Sequence, residues 1–372
     1  MRRMPTYIYH LPNWPVFSWQ PAAIESLLGQ VRHRQGRLLG RLEGLGLDLR
    51  TEATLQTLTL DILKSSEIEG EILPPASVRS SLAYRLGLEQ GGLPPADRRV
   101  EGVVAMMLDA TQQANQPLTA ERLFGWHHAL FPAGYSGPYP LRVGAWRTGP
   151  MQVVSGPMGR ERVHYEAPPA EALTAQMNEF LAWFNAPGEL DPVLKAALAH
   201  FWFVTIHPFD DGNGRIARAI ADLQLTRADA TAQRCYSMSA QIQAERQTYY
   251  DLLETSQHGS LDVTPWLTWF LQCLDRALTR AEHTLAQVLG KARFWERHRM
   301  TELSERQRRL VQRLLDGFEG KLTTSKWARM AKCSQDTAGR DMADLLAKGV
   351  LRKESAGGRS TSYRLALEPP IC

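Results

Sequence analysis

The sequence predicts a mainly α-helical protein: a helical bundle carrying one short β-hairpin, followed by a small helical unit with a hairpin of its own. Three observations predict it. Apolar residues recur at helical spacing through most of the first 300 positions. In that stretch two β-prone runs around a Pro/Gly turn read as a hairpin. The composition, 44% apolar and 22% charged over 372 residues, is that of a globular chain with room for two or three domains.

The first twenty residues are rich in aromatics and proline, with Tyr7, Tyr9, Trp14, Phe17 and Trp19. Disordered segments are poor in aromatics, so an arm packed on the body is expected. A helical pattern runs from 21 to about 69, broken in two by Gly44, Gly46 and Asp48 and ended by Pro74 and Pro75. More helices follow from about 100 to 183, interrupted by the hairpin: a strand at 151–156, a turn from Pro157 to Arg162, a strand at 163–165. Pro168 and Pro169 start a helix with Leu173, Met177, Phe180, Leu181 and Phe184 on its inner face. Asp191 as N-cap and Pro192 in the first turn open an apolar helix at 193–206. It is apolar nearly all round and therefore central, and it stops at His207-Pro208. Further helices begin near Gly214 and cover 244–257 and 265–297, the last increasingly charged, as suits a spacer.

The C-terminal segment, 301–367, reads as a winged helix. Helices are expected at about 302–318, at 324–331 and, behind a Ser334 cap, at 336–348. Gly349-Val350-Leu351 opens a hairpin turning at Gly357-Gly358-Arg359. This segment holds 14 Lys/Arg against 8 Asp/Glu, a net of +6 in a chain whose total is +4. Such a basic tail points toward nucleic acid. The wing is basic through Arg352, Lys353, Arg359 and Arg364. Against this, Asp336, Asp341 and Asp344 are expected to outnumber Arg340 and Lys348 on the exposed face of the 336–348 helix. DNA binding and a protein-contact or dimerisation role both stay open.

The four cysteines, Cys235, Cys273, Cys333 and Cys372, form no CxxC pair and fit no zinc module, which suits free thiols in a reducing cytoplasm. The N-terminus lacks the apolar core of a signal peptide. The most apolar stretch, 193–206, contains Lys195 and His200 and is too short to span a bilayer, so no membrane role is expected.

The chemistry concentrates in one loop, His207-Pro208-Phe209-Asp210-Asp211-Gly212-Asn213-Gly214-Arg215-Ile216-Ala217-Arg218. Gly212 and Gly214 let the backbone turn tightly and aim several N–H groups one way; followed by a helix N-terminus, such a nest binds anions. Arg215 and Arg218 bring two cations into a helix start, which opposes the dipole unless a polyanion sits there. Asp211 is a hard oxygen ligand suited to Mg²⁺ beside substrate phosphates. His207 can take a proton near pH 7, and Phe209 anchors the loop. The Gly-Asn-Gly piece alone is better read as a structural turn. Together, the parts are those of phosphoryl or nucleotidyl transfer.

This stretch resembles the signature of the Fic family, HPFx[DE]GNGRxxR, at every fixed position. The resemblance implies a Fic-type helical bundle with a hairpin flap, and transfer of AMP from ATP, with Mg²⁺, to a hydroxyl side chain of a target protein. It implies that His207 deprotonates the hydroxyl and Asp211 holds the metal. It implies that Asn213 with the Gly212 and Gly214 amides grips the α/β-phosphates, that Arg215 supports loop and phosphates, and that Arg218 meets the γ-phosphate. The 151–165 hairpin resembles the flap that docks the target by strand addition. Tyr249-Tyr250 resembles an adenine-side aromatic pair, with Tyr250 as the stacking residue; a core or surface aromatic is the alternative for Tyr250.

One further carboxylate calls for a partner. On a helix through 55–69, Glu69 falls on the same face as Leu55, Leu58 and Ile62, where an unpaired charge is costly. Gly70 is the expected helix stop. Ser65-Ser66-Glu67-Ile68-Glu69-Gly70 resembles the inhibitory motif [ST]xxxE[GN] of Fic proteins, with Ser65, Glu69 and Gly70 matching. That resemblance implies a Glu69–Arg218 pair that blocks seating of the γ-phosphate; a solvated helix-end acid is the alternative. The expected organisation is an N-terminal helical domain at 1–100, a catalytic domain at 101–275, a linker helix at 276–300 and the winged-helix-like domain at 301–372. A homodimer, removal of AMP instead of its transfer, and a DNA-binding regulator with a Fic sensor core remain open alternatives.

Overall fold

The apolar run at 193–206 becomes the axis around which the first unit is built. In the computed structural model, which describes residues 7–88, 97–157, 159–315, 318, 320–354 and 361–366, the chain divides into two units, Met1–Glu282 and His283–Cys372. The first is almost entirely helical. Its helices are α1 (Pro21–Glu43), α2 (Leu47–Ile68), α3 (Pro75–Arg85), α4 (Arg98–Gln112) and α5 (Ala120–Leu130). Then come two small hairpins, β1 (Tyr135–Ser136) with β2 (Tyr139–Pro140) and β3 (Gln152–Ser155) with β4 (Arg162–Glu166). The order continues with α6 (Leu173–Asn185), α7 (Pro192–Ile206), α8 (Asn213–Asp229), α9 (Met238–Ala244), α10 (Arg246–Gln257) and the long α11 (Thr264–Arg297), whose residues from His283 on belong to the second unit.

Every α7 residue from Val193 to Ile206 except Lys195 is buried. The Asp191 carboxylate caps it by accepting from the Val193 N–H at 2.8 Å, and Pro192 fills the first turn, where its missing N–H costs nothing. α8 packs along α7, and α2 lies against α3, α4, α8 and α9. Residues 1–100 and 101–275, distinct in expected role, thus lie within one compact unit. The aromatic arm is ordered where it is described: the Tyr7 ring meets Tyr165 edge-on at 5.1 Å, and Phe17 meets Phe201 at 5.7 Å.

The structure differs from the sequence expectation at several joints. α2 stops at Gly70, the expected helix stop, in the left-handed region at φ 81° and ahead of Pro74 and Pro75. The Gly70 N–H bonds the Glu67 carbonyl and the Glu71 N–H reaches back to Ser66, the paired bonds of a Schellman stop. Pro75 instead opens α3. The helix expected at 244–257 is α10, which starts at Arg246 because Glu245 leaves helical geometry, and α9 before it was not foreseen. The β1–β2 hairpin was not foreseen; two-residue strands leave no alternation to read.

The second unit contains α12 (Glu305–Leu315), α13 (Thr324–Ala331), α14 (Gln335–Ala347) and a hairpin of β5 (Leu351–Lys353) with β6 (Tyr363–Leu365). Leu310, Val311, Trp327, Met342 and Leu345 form its core, and Ser334 caps α14 through the Thr337 N–H. The turn expected at 357–359, and with it Arg359, lies outside the described residues. The expectation of an acidic outer face on α14 is corrected. Asp341 is buried, held by Arg306 Nε and Nη2, each at 2.8 Å, and by the Trp327 Nε1–H. Asp344 accepts from Gln307 and Lys348. Helical spacing places Asp341 one residue from Met342 on the inward face, where the α12 arginine reaches it. Cys235, Cys273 and Cys333 are free thiols; Cys372 lies outside the described residues. No helix among the described residues is long and apolar enough to cross a membrane.

Packing is tightest where α4 crosses α5: a Cβ built on Gly102 would lie 1.7 Å from the Ala129 carbonyl oxygen. Gly102→Ala should therefore force the two helices apart and lower stability by about 3 kcal/mol or more. Gly125→Ala, on the exposed side of α5 with no atom near its Cβ position, should instead be neutral or gain up to about 1 kcal/mol. Denaturant unfolding of the two variants checks the contrast.

Candidate active site

α7 ends on a residue with left-handed backbone geometry: His207 has φ 52° and ψ 58°. A non-glycine residue there is uncommon and must be held by its surroundings. Its N–H donates to the Phe203 carbonyl at 3.0 Å, and its carbonyl accepts from Arg147 Nε at 2.9 Å. Nδ1 of the ring lies 3.1 Å from the Val204 carbonyl oxygen. A carbonyl only accepts, so Nδ1 carries the proton and Nε2 is left as the basic nitrogen. Burial pushes the imidazole pKa below its ordinary 6.5; the bond to Val204 opposes this and the Arg147 cation reinforces it. The ring is therefore neutral at pH 7.

The loop after it is braced from inside. Phe209 is fully buried and stacks on His127 with ring centroids 4.3 Å apart. The Asn213 side chain accepts from the Phe209 N–H at 3.0 Å and donates to the Phe209 carbonyl at 2.8 Å. Gly212, at φ 81°, has no room for a side chain: a Cβ would sit 2.9 Å from the Phe131 ring. α8 begins at Asn213, and its capping-turn bond runs from the Ile216 N–H to the Gly212 carbonyl at 3.0 Å. The first-turn N–H groups of Asn213, Gly214 and Arg215 thus form the open positive end of the helix.

The two arginines turn toward the end of α2. Arg218, its side chain 1% exposed, donates through Nε to Ser65 Oγ (2.9 Å) and through Nη2 to the Ser65 carbonyl (2.9 Å) and Glu69 Oε1 (2.8 Å). Its Nη1 is buried with no hydrogen-bond partner. Burial disfavours this cation, yet the facing Glu69 carboxylate raises its pKa further. A Cβ built on Gly214 would fall 2.2 Å from Glu69 Oε1. The carboxylate therefore rests against the N-terminus of α8, where an anion is best stabilised. Arg215 donates to Glu71 Oε2 at 2.8 Å, lies 5.0 Å from the centre of the Phe131 ring, and buries an unpartnered Nε.

Asp211 accepts from the Ser136 hydroxyl and from the Gly212 N–H. Among the described residues no three His, Cys, Asp or Glu side chains gather to hold a metal by themselves. A lone carboxylate beside a phosphate-binding helix end suits Mg²⁺, which keeps waters and takes phosphate oxygens as partners. The orphaned Arg218 Nη1 and the open helix end likewise suit a polyphosphate.

This loop lies inside the segment 117–225 that matches the Fic/DOC family. Residues 117–225 form a Fic-family domain. Residues 7–88 match a second family, described as a domain of unknown function (DUF4172). The chain is 27% identical over 226 residues, 58% of its length and 47% of the relative, to the protein adenylyltransferase Fic of Nematostella vectensis. It is 28% identical over 225 residues, 58% of its length and 40% of the relative, to that of Aedes aegypti. The chain thus spans less than half the length of these curated relatives. Among solved structures it resembles a Fic family protein from Desulfovibrio desulfuricans G20, with a TM-score of 0.56 and 22% identity over 94% of this chain and 98% of that one. A Fic domain containing signalling protein from Bacteroides thetaiotaomicron VPI-5482 gives 0.51 and 22% over 70% and 95%. At such identity the likeness is one of fold, and it is the helical fold with a small hairpin.

In this Fic domain the loop from His207 to Arg218, with Asp211, Gly212, Asn213, Gly214 and Arg215 between them, is brought together with Ser65, Glu69 and Gly70. Two premises need correcting. Glu69 is not buried on the helix stripe; α2 ends at Ile68, and the Glu69 side chain, 32% exposed, reaches in from the rim. The Asn213 side chain is spent on Phe209, leaving its backbone N–H for an anion. Tyr250 is half-buried, donates its hydroxyl to the Ile68 carbonyl at 3.3 Å and carries Arg246 5.4 Å from its ring. Sequence reasoning missed Glu71, Arg147, His127 and Ser136. Only Glu71 gave a signal, as a second acid directly after Gly70.

Asn213→Ala should leave a buried donor and a buried acceptor of Phe209 without partners, at about 1–3 kcal/mol each. Asn213→Asp, which replaces a donor by an acceptor facing a carbonyl, should fare no better. Urea unfolding measures both without reference to any reaction.

Proposed function

We propose that this Fic protein transfers AMP from ATP to a serine, threonine or tyrosine hydroxyl of a target protein, under restraint by Glu69. The observation that carries the reading is the neutral His207, its Nε2 free to accept a proton, in one loop with an anion-binding helix start and a buried arginine whose Nη1 lacks a partner. The matched relatives bear the name protein adenylyltransferase. Asp211 would hold Mg²⁺, which neutralises phosphate charge when bound. The first-turn amides of α8 and Arg218 bind and orient the phosphates. His207 Nε2 takes the proton as the target oxygen bonds to the α-phosphorus; the bond from phosphorus to the bridging oxygen breaks and pyrophosphate leaves.

The β3–β4 hairpin is the candidate docking edge for the target chain. Val154 and Val163 face each other across it, 47% and 44% exposed, which suits strand addition. The three helices and hairpin of the second unit support the winged-helix reading. With Asp341 and Asp344 tied to partners, the acidity argument against DNA weakens, but the outward α14 positions Asp336, Arg340, Ala343 and Ala347 make no basic face.

His207→Ala should lower labelling by radioactive ATP about 10²–10⁴-fold while ATP binding persists. Because the imidazole pKa is depressed, the base is present at neutral pH and lost as pH falls through the lowered value. The acid limb of the rate profile should therefore lie below 6.5. Unchanged labelling in His207→Ala, or a limb above neutrality, would reject His207 as the base.

Glu69→Gly should raise self- or target labelling roughly tenfold to a hundredfold, the worth of about 1.5–3 kcal/mol for a charge-assisted bond. Arg218→Ala should not copy the gain, since it also removes a phosphate contact. Equal labelling by wild type and Glu69→Gly at saturating ATP would make this contact structural only.

A further inference from the structure

We propose that Arg147 is the positioning residue that fixes the catalytic base relative to the hairpin on which the target docks; the inference rests on the transfer reading above. Arg147 is buried and stands just before the hairpin. Its backbone N–H donates to the Pro208 carbonyl at 2.9 Å and its Nε to the His207 carbonyl at 2.9 Å. Its Nη1 donates to the Gly149 carbonyl at 2.7 Å and its Nη2 to the Pro168 carbonyl at 2.5 Å. Gly149 lies just ahead of β3 and Pro168 just after β4. One planar guanidinium therefore ties both roots of the hairpin to the residue whose left-handed backbone aims the imidazole.

The partners explain why the residue is arginine. All its described hydrogen-bond acceptors are main-chain carbonyls; no carboxylate bonds to it, the charges of Asp210 and Glu171 offset its burial only in part, and burial pushes its pKa down. Burying an unpaired cation is costly, so fold stability alone does not account for it. A rigid fork with donors in fixed directions sets three carbonyls at once; a lysine has one rotatable head and cannot. A second tie, from the Tyr165 hydroxyl on β4 to the Thr205 carbonyl at 2.7 Å, joins the same two parts and limits slack to the guanidinium's own contacts. The phosphate-binding elements, α8 and Arg218, make no contact with Arg147 among its described hydrogen bonds. Losing the fork should therefore misplace base against acceptor hydroxyl while leaving ATP seated.

The test uses the full-length Glu69→Gly protein carrying Arg147→Lys or Arg147→Met. Self-labelling rate at saturating ATP, ATP affinity by calorimetry and amide hydrogen exchange are compared with the Glu69→Gly parent. The expected result is a rate loss of about 100-fold, the cost of displacing reacting groups by about 1 Å, with ATP affinity within about twofold. Amide exchange should rise together at 149–153 and 205–211 but not in the first turn of α8. Lysine should fail nearly as badly as methionine, because charge without the fork does not set three carbonyls. The proposal is overturned if folded Arg147→Lys labels at the parent rate, if ATP affinity falls in step with rate, or if exchange at the two segments is unchanged. If the parent itself never labels, the transfer reading fails, and exchange at the two segments still decides whether Arg147 couples them.

Discussion

The structure of the site depends on a guanidinium that has been taken out of water. Arg218 lies on α8 with its side chain almost wholly buried, and nothing on α8 itself satisfies it. The end of α2 does, with a hydroxyl, a carbonyl and a carboxylate from Ser65 and Glu69. Desolvating an arginine costs several kcal/mol, and breaking such a pair from one side leaves the cost uncompensated. Hence α2 cannot be an independent lobe resting on a finished catalytic core. Asp61, one turn before Ser65 on α2, repeats the logic by accepting from the Ser237 hydroxyl and the Ser239 N–H.

A second constraint is the reversal between α7 and α8. The chain must leave a helix buried at all but Lys195 from Val193 on, turn within six residues and start another whose N-terminus faces the end of α2. It does so with His207 and Gly212 both at positive φ. The bonds that hold the turn come from its own Asn213 and, from outside, Arg147. Strain at His207 is thus maintained by contacts that also anchor the hairpin, so His207 and the hairpin form one mechanical element.

Most of this was legible where chemistry is local in sequence. The α7 span followed from Asp191, Pro192 and the His-Pro stop, and the loop parts followed from residue type and spacing. The Ser65–Glu69–Gly70 set stood out because an acid at a helix end needs a reason. What was not legible depends on three-dimensional partners. Arg147 reads as one more arginine in a loop until four carbonyls converge on its N–H groups. Asp341 and Asp344 read as surface acids until Arg306, Trp327 and Gln307 arrive from other helices. Glu69 was assigned the right partner for an incomplete reason: the helix stops one residue earlier than the stripe argument assumed. That shift converts a buried acid into a rim acid reaching inward.

The shift matters for how restraint would work on the reading proposed above. Were Glu69 buried mid-helix, displacing it would expose a desolvated cation and drag a helical turn with it. As placed, it follows the last helical residue, with Gly70 in a left-handed conformation directly behind and the carboxylate partly in water. If Ser65 Oγ and carbonyl keep their hold on Arg218, the cation would stay buried in both states and its desolvation cost would cancel between them. What remains is a local exchange of one anion at the α8 N-terminus for another. A nucleotide brings several charges to the same amides and to the unpartnered Arg218 Nη1. The balance would then lie within a few kcal/mol, the range of single charge-assisted bonds.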